Sequence, residues 1–441
     1  MLSKEDNDLL TLTNPGTPMG ALFRRFWLPV MLSQELPQPD GPPARVRVMG
    51  EDFVAFRDTK GRVALIDPHC PHRGANLFFG RNEDCGIRCV YHGWKFDVNG
   101  ECVEAPALKD AGNYDALRAR ARLKTCPVRE AGEIIWAYLG PEGTAPAFPH
   151  MEFCDVPDAQ RFVSKKLQQC NWAQASEGAF DTAHFSFLHN SVGDADDMEV
   201  MSQSEAAASG DKRRVYWLRK DGAPRFTVVE HPAGLVMGAA RRFDGEDLYW
   251  RVSQFLMPSH ALAPSTFPGE HYHGQTFVPI DETSCWIYCY TWNPGRALTN
   301  AERDRFAGGH TVHASVDKNW VPHRNRDNDY LIDRMDQRLR SFTGIKGVSE
   351  QDAAVQDSQG FIADRTKELL GPTDFGVVRF RRMILDAAKA LQNGTAPVQA
   401  TQSEGYYVRA GGTVAHKSKT LTEIMMTRFG DPNGAVKEGY Q

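Results

Sequence analysis

The sequence predicts an α+β chain in two parts, a small all-β unit over residues 45–145 and a larger mixed unit over 146–392. Three observations predict it. Short period-two runs separated by hairpin signals fill the first part. A proline-rich stretch at 141–149 then marks a boundary. Beyond it, strand-like runs alternate with segments of helical spacing. A length of 441 residues suits two or three domains, at roughly 150 residues each.

Taken in order, residues 1–44 read as an N-terminal arm. The run 22–28 offers a short amphipathic segment, Pro29 limits any helix there, and the prolines between 37 and 43 close the arm. Residues 45–48 alternate as a strand, and runs at 53–56 and 63–66 flank Asp58-Thr59-Lys60-Gly61 as a hairpin. Strands follow at 88–90 and 94–96, with Asn99-Gly100 as a strong hairpin signal. Residues 133–138 predict a buried strand. In the larger unit, 172–188 has helical texture and 191–212 is a polar loop placed to serve as a lid. Strands are expected at 249–256, 275–280 and 285–292, the last two joined at 281–283. Phe380, Met383, Ile384, Ala387, Ala388 and Leu391 recur at helical spacing. Residues 393–441 read as a linker-like stretch and a tail.

Composition narrows the function. Lys+Arg 51 against Asp+Glu 56 leaves a net charge of −5, which argues against a nucleic-acid binder. No run approaches the length a membrane span needs, and the polar N-terminus is no signal peptide, so a cytoplasmic protein is expected. Nine scattered cysteines are too few for a disulfide scaffold, and in a reducing compartment they point to metal binding or catalysis.

Two of them stand beside histidines, in Cys70-Pro71-His72-Arg73-Gly74 and Cys89-Val90-Tyr91-His92-Gly93-Trp94. Each loop offers one thiolate and one imidazole. A tetrahedral zinc accepts that set, and so does a [2Fe–2S] cluster with two cysteines on one iron and two histidines on the other. Zinc fingers pair like with like, whereas each loop here mixes the two, so the spacing favours iron. His69 adjoins Cys70 but the set is complete without it. The pattern resembles the Rieske motif, and Gly93-Trp94-Lys95-Phe96 after the second histidine strengthens the likeness.

Downstream comes N-W-x-Q-x-x-E-G-x-x-D-x-x-H-x4-H, from Asn171 to His189. His184 and His189 are five apart, about 140° around a regular helix, so both address one metal only if the helix bends or ends nearby. With a Rieske motif upstream, this resembles the oxygenase subunit of Rieske non-haem iron oxygenases. The resemblance implies a helix-grip (START-like) catalytic domain, in which an antiparallel sheet grips a long helix. It implies that His184 and His189 bind a mononuclear Fe(II), with O₂ as cosubstrate and a distant carboxylate as third ligand. In the segment 348–356 the choice is Asp352, with Glu350 and Asp357 as competitors. By the same resemblance Asp181 bridges, through hydrogen bonds, to the cluster of a neighbouring subunit. That implies a ring-shaped homo-oligomer, a trimer or stacked trimers.

Asn14 to Gly20, Asp327 to Arg334 and Phe342 to Ile345 look like the phthalate dioxygenase branch. That branch includes ring dioxygenases for aromatic carboxylates and O-demethylases for methoxylated lignin-derived acids. The expected reading is therefore ring dihydroxylation of a small carboxylated aromatic, with O-demethylation as the alternative. Electrons come from NAD(P)H through a separate flavin and iron–sulfur reductase, because no G-x-G-x-x-G follows a strand here. Phe180, Phe185 and Thr182 are expected near the substrate, Phe187 also stands beside the ligands, and Arg241 and Arg242 are the candidate pair for a carboxylate. Arg213 and Arg214 are weaker candidates, and His271-x-His273 reads as a surface strand. Two readings of other classes remain at this point, a Rieske electron carrier without oxygenase activity and a zinc-stabilised binding protein.

Overall fold

The computed structural model describes residues 1–110, 112–190, 192, 218, 221–243, 245–264 and 270–429. It divides into two units, Phe23–Pro146, and Met1–Leu22 with Ala147–Gln441. The stretch 1–44 is thus split rather than forming one arm. The loop 191–212, apart from Val192, lies outside the described residues, as do Arg213 and Arg214.

The smaller unit is mainly β rather than wholly β, since it also holds the short helix Tyr114–Arg120. Three sheets build it: Trp27–Leu32, Ile134–Tyr138 and Val128–Ala131; Ala44–Val48, Glu51–Arg57, Val63–Ile66 and Thr125–Cys126; and Arg81–Glu83, Gly86–Arg88, Lys95–Phe96 and Cys102–Glu104. Ile134–Tyr138 is buried throughout because it is the middle strand of its sheet. Pro29 does limit a helix, but by ending up in a strand. The helix Pro18–Phe23 stops before it, and the pairing of Trp27–Leu32 shifts register between Pro29 and Met31. Asp58 fixes the first hairpin by accepting from the N–H groups of Lys60 (3.0 Å) and Arg62 (2.9 Å). Asp97 does the same at Asn99-Gly100, accepting from Asn99 (2.9 Å) and Glu101 (3.0 Å).

The larger unit is an eight-stranded antiparallel sheet with a long helix against it. The path runs Arg161–Gln168, Cys285–Trp292, Tyr272–Pro279, His260–Leu262, Asp247–Leu256, Gly234–Arg242, Arg225–His231. The short His260–Leu262 covers only Gln254–Leu256 of its neighbour, and Gly411–His416 pairs with the rest, Asp247 to Val252. The expected tail therefore completes the sheet, and the helix Leu421–Arg428 buries Leu421, Ile424 and Met425 against Val236, Trp250 and Val252. The long helix Phe375–Gln392 presents Phe380, whose ring meets Trp172, Phe180 and Phe255. This is the helix-grip arrangement, and its apolar seam anchors the helix Trp172–Phe180 that leads into the site.

His273 lies in the strand Tyr272–Pro279, with His271 just before it, but His273 is buried, not on the surface. Its Nδ1 shares a hydrogen bond with Thr291 Oγ1 (2.7 Å), which continues to His313 Nε2 (2.8 Å) and from His313 Nδ1 to Ser164 (2.7 Å). Burial holds His273 and His313 well below the ordinary imidazole range.

Candidate active site

In the smaller unit two loops share one backbone pattern. The N–H of Cys70 donates to the Ala75 carbonyl (2.9 Å) and that of Gly74 to the Cys70 carbonyl (2.9 Å). The N–H of Cys89 donates to the Trp94 carbonyl (2.8 Å) and that of Gly93 to the Cys89 carbonyl (3.0 Å). The register is identical, and both glycines take the left-handed conformation that closes the loop, φ 72° and 74°. His72 and His92 occupy successive places in the two loops, and their rings meet at 4.4 Å. His72 also stacks on Trp94 at 4.7 Å.

The thiols of Cys70 and Cys89 lie together, buried, and the imidazoles are only half-buried. Burial, with Cys89 beside it, pushes the Cys70 thiol up to about 11. Burial also lowers the His72 pKa, and His92 adds to it. Among the described residues the buried Trp94 Nε1–H has no acceptor, and nothing stands within 4 Å of where a Cβ of Gly74 would sit. Thiol beside thiol, imidazole beside imidazole, and open space with a spare donor fit a two-iron cluster better than one tetrahedral ion. His69 is 60% exposed and faces Asp67.

In the larger unit the motif from Asn171 onward explains itself residue by residue. Asn171 caps the helix Trp172–Phe180, accepting from Ala173 N–H (3.0 Å), and donates to the Thr11 and Glu282 carbonyls (2.8 Å each). Gln174 ties that helix to the helix Val348–Ser358 and the loop after it, donating to the carbonyls of Gln356 (3.1 Å) and Gly360 (2.7 Å). Glu177 takes the guanidiniums of Arg365 and Arg381. Gly178 lets the two helices approach, since a Cβ there would collide with Gln356 Nε2.

The helix ends at Asp181, and His184–Ser186 forms a separate tight turn. That break brings the two histidines together. His184 Nε2 and His189 Nε2 stand 3.0 Å apart, and Asp352 Oδ1 lies 3.4 and 3.1 Å from them. Bonds of about 2.1 Å at right angles would set neighbouring ligand atoms about 3.0 Å apart, the spacing of one face of an octahedral site. The protonation pattern agrees. Gln351 Nε2 donates to the Ile345 carbonyl (2.7 Å), which turns its Oε1 toward His189 Nδ1 (2.7 Å). That nitrogen must then donate, so His189 Nε2 is a bare lone pair. Asp181 Oδ2 faces His184 Nδ1 at 3.6 Å. Three lone-pair donors converging at this range repel one another unless a cation sits among them.

The electrostatics follow. Burial opposes charge on His184, but Asp181 and Asp352 outweigh it and raise its pKa. Burial likewise opposes the Asp352 carboxylate, and His189 and His184 outweigh it and hold its pKa low. Glu350 and Asp357 are elsewhere. Glu350 is buried beside Gly309 and Gly347, and burial pushes it up to about 7. Asp357 accepts from the Tyr330 hydroxyl.

Asp352 opens onto a pocket of about 720 Å³, counting the space open at its mouth, lined by apolar residues such as Ala175, Phe185, Ala261, Phe277, Ile287 and Val348 and by the polar Gln168, Gln275, Thr311 and Gln356. Thr182 and Phe185 line it as expected. Phe180 does not, because its ring is packed between Phe255 and Phe380 in the core. Phe187 faces solvent against Phe342. Neither Arg241 nor Arg242 lines it either. As neighbours on a strand they point to opposite faces. Arg241 is fully buried and donates to the Thr182 carbonyl (2.7 Å), while Arg242 is 78% exposed and pairs with Asp221 (3.2 Å). The residues missed were Arg251, which holds Thr182 Oγ1 (2.7 Å) and lies over Phe185 (4.1 Å), and two more, Gln351 and the pocket-lining Lys166. A signal for the last existed, since two adjacent lysines in a strand cannot both face the same way.

The chain matches the Rieske [2Fe-2S] domain over residues 26–126 and the family described as LigXa C-terminal domain like over 137–419. It is 39% identical over 404 residues to the phthalate 4,5-dioxygenase oxygenase subunit of Pseudomonas putida, covering 90% of this chain and 89% of that protein. It is 30% identical over 398 residues to the 5,5'-dehydrodivanillate O-demethylase oxygenase subunit of a Sphingobium strain, covering 90% and 83%. The caffeine-bound NdmA QL mutant of Pseudomonas putida CBB5 shares the fold, with a TM-score of 0.60, 15% identity, and 92% and 100% of the chains covered. The match over 137–419 sets aside an electron carrier built on the cluster alone, and the match over 26–126 sets aside a structural zinc.

Proposed function

This chain belongs to the Rieske non-haem iron oxygenases, as an oxygenase subunit with a LigXa-like catalytic domain, and from that premise we propose that it dihydroxylates the ring of an aromatic carboxylate. It works with a Rieske [2Fe–2S] cluster, a mononuclear iron and O₂. In our reading Cys70, His72, Cys89 and His92 hold the cluster, and His184, His189 and Asp352 hold the iron. When bound, these groups supply single electrons and the reduction of O₂.

The protein's own part is positional. Gln351 keeps the proton on His189 Nδ1 and so turns Nε2 inward. Asp181 stands ready to do the same at His184 while staying partly exposed, as a bridge to a neighbouring subunit requires. We take the assembly to be a homotrimer or stacked trimers, with Asp181 as the bridge. The apolar walls hold a flat ring and exclude water. A separate NAD(P)H-dependent reductase supplies the electrons. We take the setting to be cytoplasmic and the role aromatic catabolism.

The observation that carries this reading is the convergence of three lone-pair donors at the wall of a mainly apolar pocket. The test supplies NADH, a reductase and labelled dioxygen to the iron-loaded protein, with phthalate and methoxybenzoates as substrates. A dihydrodiol of the acid with both labelled oxygens supports it. Formaldehyde from a methoxybenzoate with no dihydrodiol replaces it by O-demethylation, which the similarity to the dehydrodivanillate enzyme favours.

A further inference from the structure

We propose that Lys166 forms a carboxylate-binding subsite in the active-site pocket and takes the substrate's anionic group. The inference rests on the reading above that the substrate is an aromatic acid, and it replaces Arg241 and Arg242 in that role.

Lys165 and Lys166 are neighbours in the strand Arg161–Gln168, so their side chains leave the sheet on opposite faces. Both are buried. Lys165 has its compensation, because its ammonium lies over the Trp286 ring at 4.5 Å and near that of Trp320 at 5.7 Å. Lys166 instead lines the pocket that Asp352 also lines. Its Nζ donates to the Ser349 hydroxyl and to the Ser349 carbonyl (3.3 Å). An ammonium has three N–H donors, so one is left over. No carboxylate is in ion-pair contact with it among the described residues. Its charge does reach Asp352 and Glu350, where it favours the ionised forms.

A buried cation held only by neutral oxygens is poorly compensated. It is also anchored, because Ser349 fixes it three residues before Asp352 on the same helix. An anion entering the pocket would meet the spare N–H and restore the balance. A carboxylate seated there would leave its ring among Phe185, Phe277 and Ile287, against the wall that carries Asp352. Charge and shape together select a flat, apolar molecule with an acid at one end.

The test measures, by calorimetry on the iron-loaded protein, binding of phthalate and benzoate, each against its neutral amide. The wild type should bind the acids at least tenfold tighter than the amides. Lys166→Met should weaken acid binding roughly 10- to 100-fold, leave the amides within about threefold, and keep the cluster's visible spectrum. Lys166→Arg should keep the preference for acids. If Lys166→Met fails to fold, Lys166→Met with Glu350→Gln removes both buried charges and reads the same contrast. A wild type that binds acid and amide alike overturns the subsite, as does a variant that weakens both equally or neither. In those cases continued oxidation of the acids by the wild type leaves the proposed function standing. A wild type that binds and oxidises no aromatic acid overturns both.

Discussion

The two metal centres are built in opposite ways. In the smaller unit each loop is closed by its own backbone, Cys70 to Ala75 and Cys89 to Trp94, with a left-handed glycine in each. The cysteine and histidine we assign as ligands sit within a few places of each other in each loop, and the geometry is largely local. In the larger unit nothing local brings Asp352 to His189. The pairing depends on Asn171, Gln174, Glu177 and Gly178, which hold one helix against another, and on the break at Asp181. A local centre should tolerate changes elsewhere in the fold, and a tertiary centre should not.

The largest expected effect comes from Glu177→Ala. It leaves the buried guanidinium of Arg365 without a carboxylate and that of Arg381 with Glu368 alone, and breaking a buried pair costs about 3–5 kcal/mol. Thermal unfolding should show a marked loss of stability and iron should leave the larger unit, while the cluster's visible absorption stays. Loss of both groups together would erase the contrast.

Acid should act in the same direction, more weakly near about pH 6 and at least as strongly by about pH 5. Burial holds His231 near 4, and His260 and His313 near 3, all in the larger unit. Their neutral forms are the ones the fold keeps. As pH falls below the ordinary value near 6.5, the unfolded chain takes up protons that the folded chain refuses. Stability is therefore complete above about pH 6.5 and lost toward pH 4, by up to about 1.4 kcal/mol per pH unit for each histidine. Denaturant titrations between pH 7 and 5 check it, and a flat profile would count against it.

Gln351→Leu sharpens the comparison further. Removing the acceptor of His189 Nδ1 frees the ring's tautomer, and such losses cost about 10- to 100-fold in metal affinity. Competition with a chelator measures this, and the cluster should be unaffected. The smallest effect belongs to Arg242→Ala. Exposed and paired with Asp221, it should change kcat/KM by less than about twofold.

The same contrast explains what the sequence revealed. The cluster loops are legible because ligand type, spacing and glycine all lie within a few residues. The hairpins at Asp58 and Asn99-Gly100 are legible for the same reason. Asp352 could be picked out only by resemblance, since its partners are distant. Misreadings arose where burial overrode local pattern. Arg241 looked like an anion site but serves Thr182, Phe180 became core, and His273 was drawn inside by hydrogen bonds across the sheet. The tail beyond 393 gave no clue that a short return strand had left a sheet edge for it to fill.

The most direct test is metal analysis with a visible spectrum on the wild type, Cys89→Ser and Asp352→Ala. The wild type should hold about three irons per chain, Asp352→Ala about two with the spectrum intact, and Cys89→Ser about one with the spectrum lost. Three irons retained in Asp352→Ala, or a spectrum lost with Asp352, would contradict two separately built centres.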